Sequence, residues 1–78
     1  MEVSYMELKP TQKKVLKVLV DKDEEWVSFN EIKRLSGVNS SHINSAIKFF
    51  IQNDYVYQPS GDSVMVSPNG IEAYYNSL

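Results

Sequence analysis

Apolar residues recur at helical spacing in four stretches of the chain, with short alternating or extended runs between them. The first stretch is about Pro10 to Val20, where Val15, Leu16 and Leu19 fall on one face and the lysines on the other. Its start lies between Pro10, which suits a first helical position, and Thr11, a better cap than Lys9. The polar run Asp21–Glu25 then reads as a solvated loop, and Trp26-Val27 as a short extended segment that buries the tryptophan.

A second helix is expected over about residues 29–36. Ser28 and Glu31 have the spacing of a capping box, in which each side chain accepts from the other's backbone N–H, and Val27 with Ile32 forms a hydrophobic staple. Ile32 and Leu35 face inward, and Gly37 ends the helix because it takes left-handed geometry without a Cβ penalty. Asn39 can cap a third helix over about residues 40–53, and Val38 with Ile43 repeats the staple. On a helical wheel Ile43, Ala46, Ile47 and Phe50 form the buried stripe of that helix, and Ser41, Ser45, Lys48 and Gln52 lie opposite. His42 and Phe49 share one flank, Asn44 and Ile51 the other. The helix ends near Asn53-Asp54, residue types that tolerate left-handed backbone.

Tyr55–Gln58 and Ser63–Val66 are rich in aromatic and β-branched residues and are joined by Pro59-Ser60-Gly61-Asp62, which predicts a β-hairpin over about residues 55–66. A fourth helix over about residues 68–77 starts with Ser67 as cap, Pro68 in the first turn and Val66 with Ile71 as a third staple. The expected class is therefore mainly α with a small β-hairpin (α+β), in one domain over residues 1–78 with no internal repeat.

Composition agrees with a folded chain and narrows its chemistry. The 78 residues are 42% hydrophobic and 23% charged, enough for one modest core and unlike the profile of disorder. No apolar run reaches bilayer-spanning length and the N-terminus lacks a signal-peptide layout, so the cytoplasm is expected. Without cysteine there is no disulfide framework or thiolate metal site. The formal net charge of −2 runs against nucleic acid as a partner, but the charges are segregated. Lys9, Lys13, Lys14 and Lys17 cluster early, acids fill Asp21–Glu25, and no basic residue follows Lys48.

Three segments resemble the winged helix-turn-helix superfamily, in particular its MarR-like and ArsR-like transcriptional regulators. They are Leu8–Leu16, similar to the opening helix; Leu35–Ser45, similar to the turn into the recognition helix; and Phe50–Val56, similar to the exit into the wing. Ser67-Pro-Asn-Gly-Ile71 is similar to the start of the helix that follows the wing, so the resemblance spans about residues 8–78. It implies a helix-turn-helix and wing over residues 28–66, a three-helix core and a C-terminal helix. Asp54 stands where these regulators usually have glycine, and the hairpin tip carries no arginine or lysine with which to grip a minor groove. Only a short helix follows the wing, so dimerisation through a long terminal helix is not expected.

By that resemblance the third helix reads double-stranded DNA from the major groove, and Ser40, Ser41, His42, Asn44, Ser45 and Lys48 are the candidate contacts. Serine can donate or accept toward several bases, asparagine can pair bidentately with adenine, and lysine can reach guanine or phosphate. Lys33 and Arg34, with Lys13, Lys14 and Lys17, could hold phosphates. The bland alternative is that these side chains simply solvate exposed helix faces. His42, the only histidine, has no partners in sequence for a metal or catalytic pair, and Trp26, Phe29, Phe49 and Phe50 fall at core positions. Adjacent Tyr74 and Tyr75 cannot both bury against one surface, so the last helix, with Leu78, is a candidate homodimer contact.

No phosphate loop, HExxH, CxxC or nucleophile elbow is present, so neither catalysis, a cofactor nor a small-molecule ligand is inferred, and no membrane is implied. The rival reading is a protein-interaction module that does not bind DNA, using Tyr55, Tyr57, Tyr74 and Tyr75.

Overall fold

The computed structural model describes residues 8–78; the expected domain also includes residues 1–7, which lie outside the described residues. Four helices and a small antiparallel sheet follow in the order α1 (Pro10–Asp21), β1 (Val27–Ser28), α2 (Phe29–Ser36), α3 (Ser40–Gln52), β2 (Ser63–Val64) and α4 (Pro68–Asn76). The mainly helical α+β class is as expected. Helix α1 packs against α2, α3 and α4 alike, so Val15, Leu16 and Leu19 lie at the centre of the core with Ile32, Ile43, Phe50 and Val64.

In α2, α3 and α4 a side chain at the N-cap accepts from a free N–H group of the first turn. Helix α1 starts at Pro10, and Gln12 Oε1 accepts from the Lys9 N–H at 2.9 Å. The Lys9 ammonium has no lone pair to return the favour, so half of a capping box serves. Ser28 Oγ accepts from Glu31 N at 3.1 Å, but the reciprocal half expected of Glu31 is not made. Its carboxylate faces Lys22 and Arg34 instead, each at 3.7 Å. Asn39 Oδ1 accepts from His42 N at 3.0 Å, and Gly37 ends α2 with φ +71°. Beyond α3, Asp54 takes the left-handed conformation at φ +60°, the geometry for which glycine is the usual choice.

The hairpin differs from expectation. The regular pairing of β2 is with β1, Val27 opposite Val64 and Ser28 opposite Ser63, rather than with residues 55–58. The first arm meets the second at the bridges Val56–Val66, flanked by the hydrogen bonds Tyr57 N to Met65 O and Ser67 N to Tyr55 O, and Ser60–Ser63, so residues 57–59 stand opposite only 64–65. Pro59 has no N–H to give, and the extra residue leaves this arm bulged. The turn is tight, with Ser60 and Ser63 exchanging backbone bonds of 3.0 Å around Gly61, whose φ is +60°.

Two residues expected inside are outside. Val27 is buried in β1, and because side chains alternate along a strand its neighbour Trp26 points the other way and is 49% exposed. Leu35 is 46% exposed; it lines a groove of about 450 Å³ with Lys14, Lys17 and Val18, the last two turns of α1 covering only its inner side. Phe29 and Phe49 pack at the core edge and Phe50 at its centre, as expected. Trp26→Ala should therefore lower the unfolding free energy by at most about 1.5 kcal/mol in urea denaturation, rather than the roughly 3–5 kcal/mol of a buried tryptophan.

Candidate functional site

Helix α3 has one face in the core and one open to solvent. Ile43, Ala46, Ile47 and Phe50 are buried, whereas Ser40, Ser41, His42, Asn44, Ser45 and Lys48 are all exposed. Ser41, Asn44, Ser45 and Lys48 recur at positions three and four apart, which puts them in one stripe along the helix. Ser41 is partly committed, since its hydroxyl donates to Asn39 Oδ1 at 2.9 Å and stiffens the N-terminal cap. Asn44, Ser45 and Lys48 have no side-chain hydrogen bond or ion pair among the described residues, so their full donor and acceptor capacity faces outward.

The fold brings His42 and Ser45 beside the N-terminal turn of α1. With Lys9, Thr11 and Gln12 they line a cleft of about 260 Å³. The sequence reading missed this neighbourhood of Lys9, Thr11 and Gln12, because nothing local couples the start of α1 to the middle of α3. Lys33 and Arg34 are exposed in the last turn of α2, where cations suit the helix dipole, but no hydrogen bond or ion pair joins them to α3 among the described residues.

The basic residues divide by what already holds them. Lys13 Nζ donates to the Ser77 carbonyl at 2.9 Å, tying α1 to the end of α4. Lys17 pairs with Asp21 at 2.9 Å, and that hydrogen bond and charge raise its pKa above the ordinary lysine value. Lys22 and Arg34 share Glu31. Lys9, Lys14, Lys33 and Lys48 are exposed with no such partner among the described residues. Lys13 and Lys17, both offered above as phosphate contacts, thus have structural duties.

The C-terminal tyrosines separate as their adjacency requires. Tyr74 is 9% exposed and part of the core, whereas Tyr75 is 59% exposed and meets its ring edge-on at 5.5 Å between centroids. Tyr55 is half-buried against Phe49 and Phe50. Of the aromatic residues proposed for a partner surface, only Tyr57 and Tyr75 are free to serve.

Comparison with protein-family models, curated proteins and solved structures returns no match. The residues themselves therefore carry the functional argument. Among the described residues no group of three histidine, cysteine or acidic side chains is placed to hold a metal, and no helix is long and apolar enough to cross a membrane.

Proposed function

We propose that this chain is a cytoplasmic winged-helix module that binds double-stranded DNA sequence-specifically as a transcriptional regulator and has no enzymatic activity. The observation that carries the reading is the exposed polar stripe of α3, on a helix fixed from behind by the core and entered through the Gly37 turn. Seated in a major groove, that helix offers Asn44 and the serines to base edges and Lys48 to guanine or phosphate. Lys9 beside His42 and Ser45, together with Lys14 and Lys33, supplies the free cations for phosphate contacts. The pairing of β2 between β1 and the bulged arm supports the wing, whose tip carries Asp62 and no cation. The wing therefore adds little grip, and affinity rests on α3 and the two helices before it. A second copy docks in this reading through Tyr75 and Leu78, the two most exposed large apolar side chains.

Titration with genomic fragments at low salt tests it. Binding should weaken steeply as salt rises, each phosphate contact contributing a slope of about −0.9 in log–log form. Asn44→Ala should cost roughly tenfold in affinity for the preferred sequence, and Lys48→Glu more, with thermal midpoints unchanged because both side chains are exposed. Absence of salt-sensitive binding would sink the proposal.

A further inference from the structure

A second groove lies away from α3. It has a volume of about 670 Å³ and is lined by the apolar Met65 and Ile71, the aromatic Trp26 and Tyr57, and the acidic Asp23 and Glu24. No residue of α3 and no basic residue lines it. Trp26 and Tyr57 are each about half exposed, an expensive arrangement for large rings in a chain this small unless something covers them.

The backbone builds this juxtaposition. The turn that ends α1 is closed by Glu25 N donating to the Lys22 carbonyl at 3.0 Å, and Glu24 within it holds φ +66°, a conformation that residues with a Cβ resist. It sets Asp23 and Glu24 three and two positions before Trp26, with Glu25 between. Neither Asp23 nor Glu24 has an ion-pair partner among the described residues; the neighbouring Lys22 is turned to Glu31. On the other arm Tyr57 N donates to the Met65 carbonyl at 3.0 Å, and in the bulge that follows the Gln58 backbone makes no backbone hydrogen bond among the described residues.

We propose that this groove docks an extended segment of a partner protein in which an arginine or lysine stands next to apolar residues. Charge selects the cation, since among the described residues the groove is lined by two acidic side chains without an ion-pair partner and by no basic one. The aromatic pair reinforces it, because a guanidinium or ammonium over a ring face is attracted by the ring's negative π cloud. Met65 and Ile71 take the flanking apolar side chains, and the unpaired amide edge at Gln58 suits an extended backbone. This site goes beyond the DNA reading and stands without it.

The chain's single tryptophan makes the test direct. A phage-displayed library of random linear peptides is panned on the full chain, and a selected peptide is synthesised and titrated while Trp26 emission is recorded. Basic residues beside apolar ones should be enriched, and the emission should shift and saturate. Affinity should fall at least about tenfold in Tyr57→Ala and in the Asp23→Asn, Glu24→Gln double variant, as for a central contact of an interface, and stay unchanged in Asn44→Ala and Lys48→Glu. Both weakened variants should keep the thermal midpoint of the parent to show that folding is intact. Peptides selected without basic enrichment, or binding that survives both groove variants, would overturn the proposal. So would a concentration-dependent emission shift without peptide, which would mark a second copy as the occupant, or the same shift on adding duplex DNA alone.

Discussion

Replacing Gly70 with alanine is expected to lower the unfolding free energy by about 3 kcal/mol or more, at or above the upper end for overpacked core sites. An alanine Cβ there would come within 2.0 Å of the Tyr55 carbonyl oxygen and 2.8 Å of Val66 Cγ2. The first of these is backbone that cannot step aside, because the same oxygen accepts from Ser67 N at 2.9 Å. Ser67 is itself buried, with its hydroxyl donating to the Asp54 carbonyl at 2.6 Å and accepting from Gly70 N at 3.3 Å. The start of α4 is thus stitched to the exit of α3, and a methyl group at Gly70 separates them. Gly37→Ala provides the contrast, since an added Cβ there meets nothing within 4 Å and only the left-handed backbone resists. Its cost should be about 1–2 kcal/mol. Urea unfolding followed by far-ultraviolet circular dichroism measures both, and equal losses would show that α4 docks less tightly than described.

Phe50→Ala should be as damaging by a different route. Phe50 is fully buried on the inner face of α3, with Phe49 edge-on at 6.1 Å and Tyr55 tilted at 6.2 Å between centroids. Truncation removes the ring and leaves a cavity, together worth roughly 3–5 kcal/mol. A chain of this length has a total stability of about 4–12 kcal/mol, so the variant should be barely folded at physiological temperature. Its calorimetric midpoint should fall by more than about 15 °C. Phe49→Ala, at the core edge, should lose less than half as much. A small shift for Phe50→Ala would mean that the core can collapse around the missing ring. The comparison also guards the functional test, because Asn44→Ala on the outer face of the same helix should leave the midpoint in place.

The helix starts and stops were legible because they depend on residues a few positions apart. Ser28, Asn39 and Ser67 cap the helices they are expected to cap, Gly37 takes the left-handed backbone expected of it, Asp54 is the one of the Asn53-Asp54 pair that does so, and the buried stripe of α3 is the predicted one. The errors came from longer range. Trp26 belongs to the short extended segment expected to bury it, but Val27 takes the inward position once β1 pairs with β2. Leu35 has helical spacing from Ile32 and still lies at a groove edge, since no element covers its outer side. Glu31 has the spacing of a local cap partner, but Lys22 from the turn after α1 and Arg34 of its own helix hold it elsewhere.

The candidate site divides in the same way. That Ser41, Asn44, Ser45 and Lys48 share an exposed stripe follows from helical periodicity, which sequence alone specifies. Which lysines remain free could not be read there, because Lys13 is used by a carbonyl 64 positions away. The aromatic groove of Trp26 and Tyr57 likewise exists only through the turn before β1 and the bulge beside β2. By itself the sequence determined four helices, their approximate boundaries and most of their inner faces, since caps and hydrophobic periods act within a turn or two of backbone. Only the tertiary structure decided the partner of β2, the exposure of Trp26 and the fit of Gly70 against Tyr55, because each depends on chain segments that meet after the helices pack.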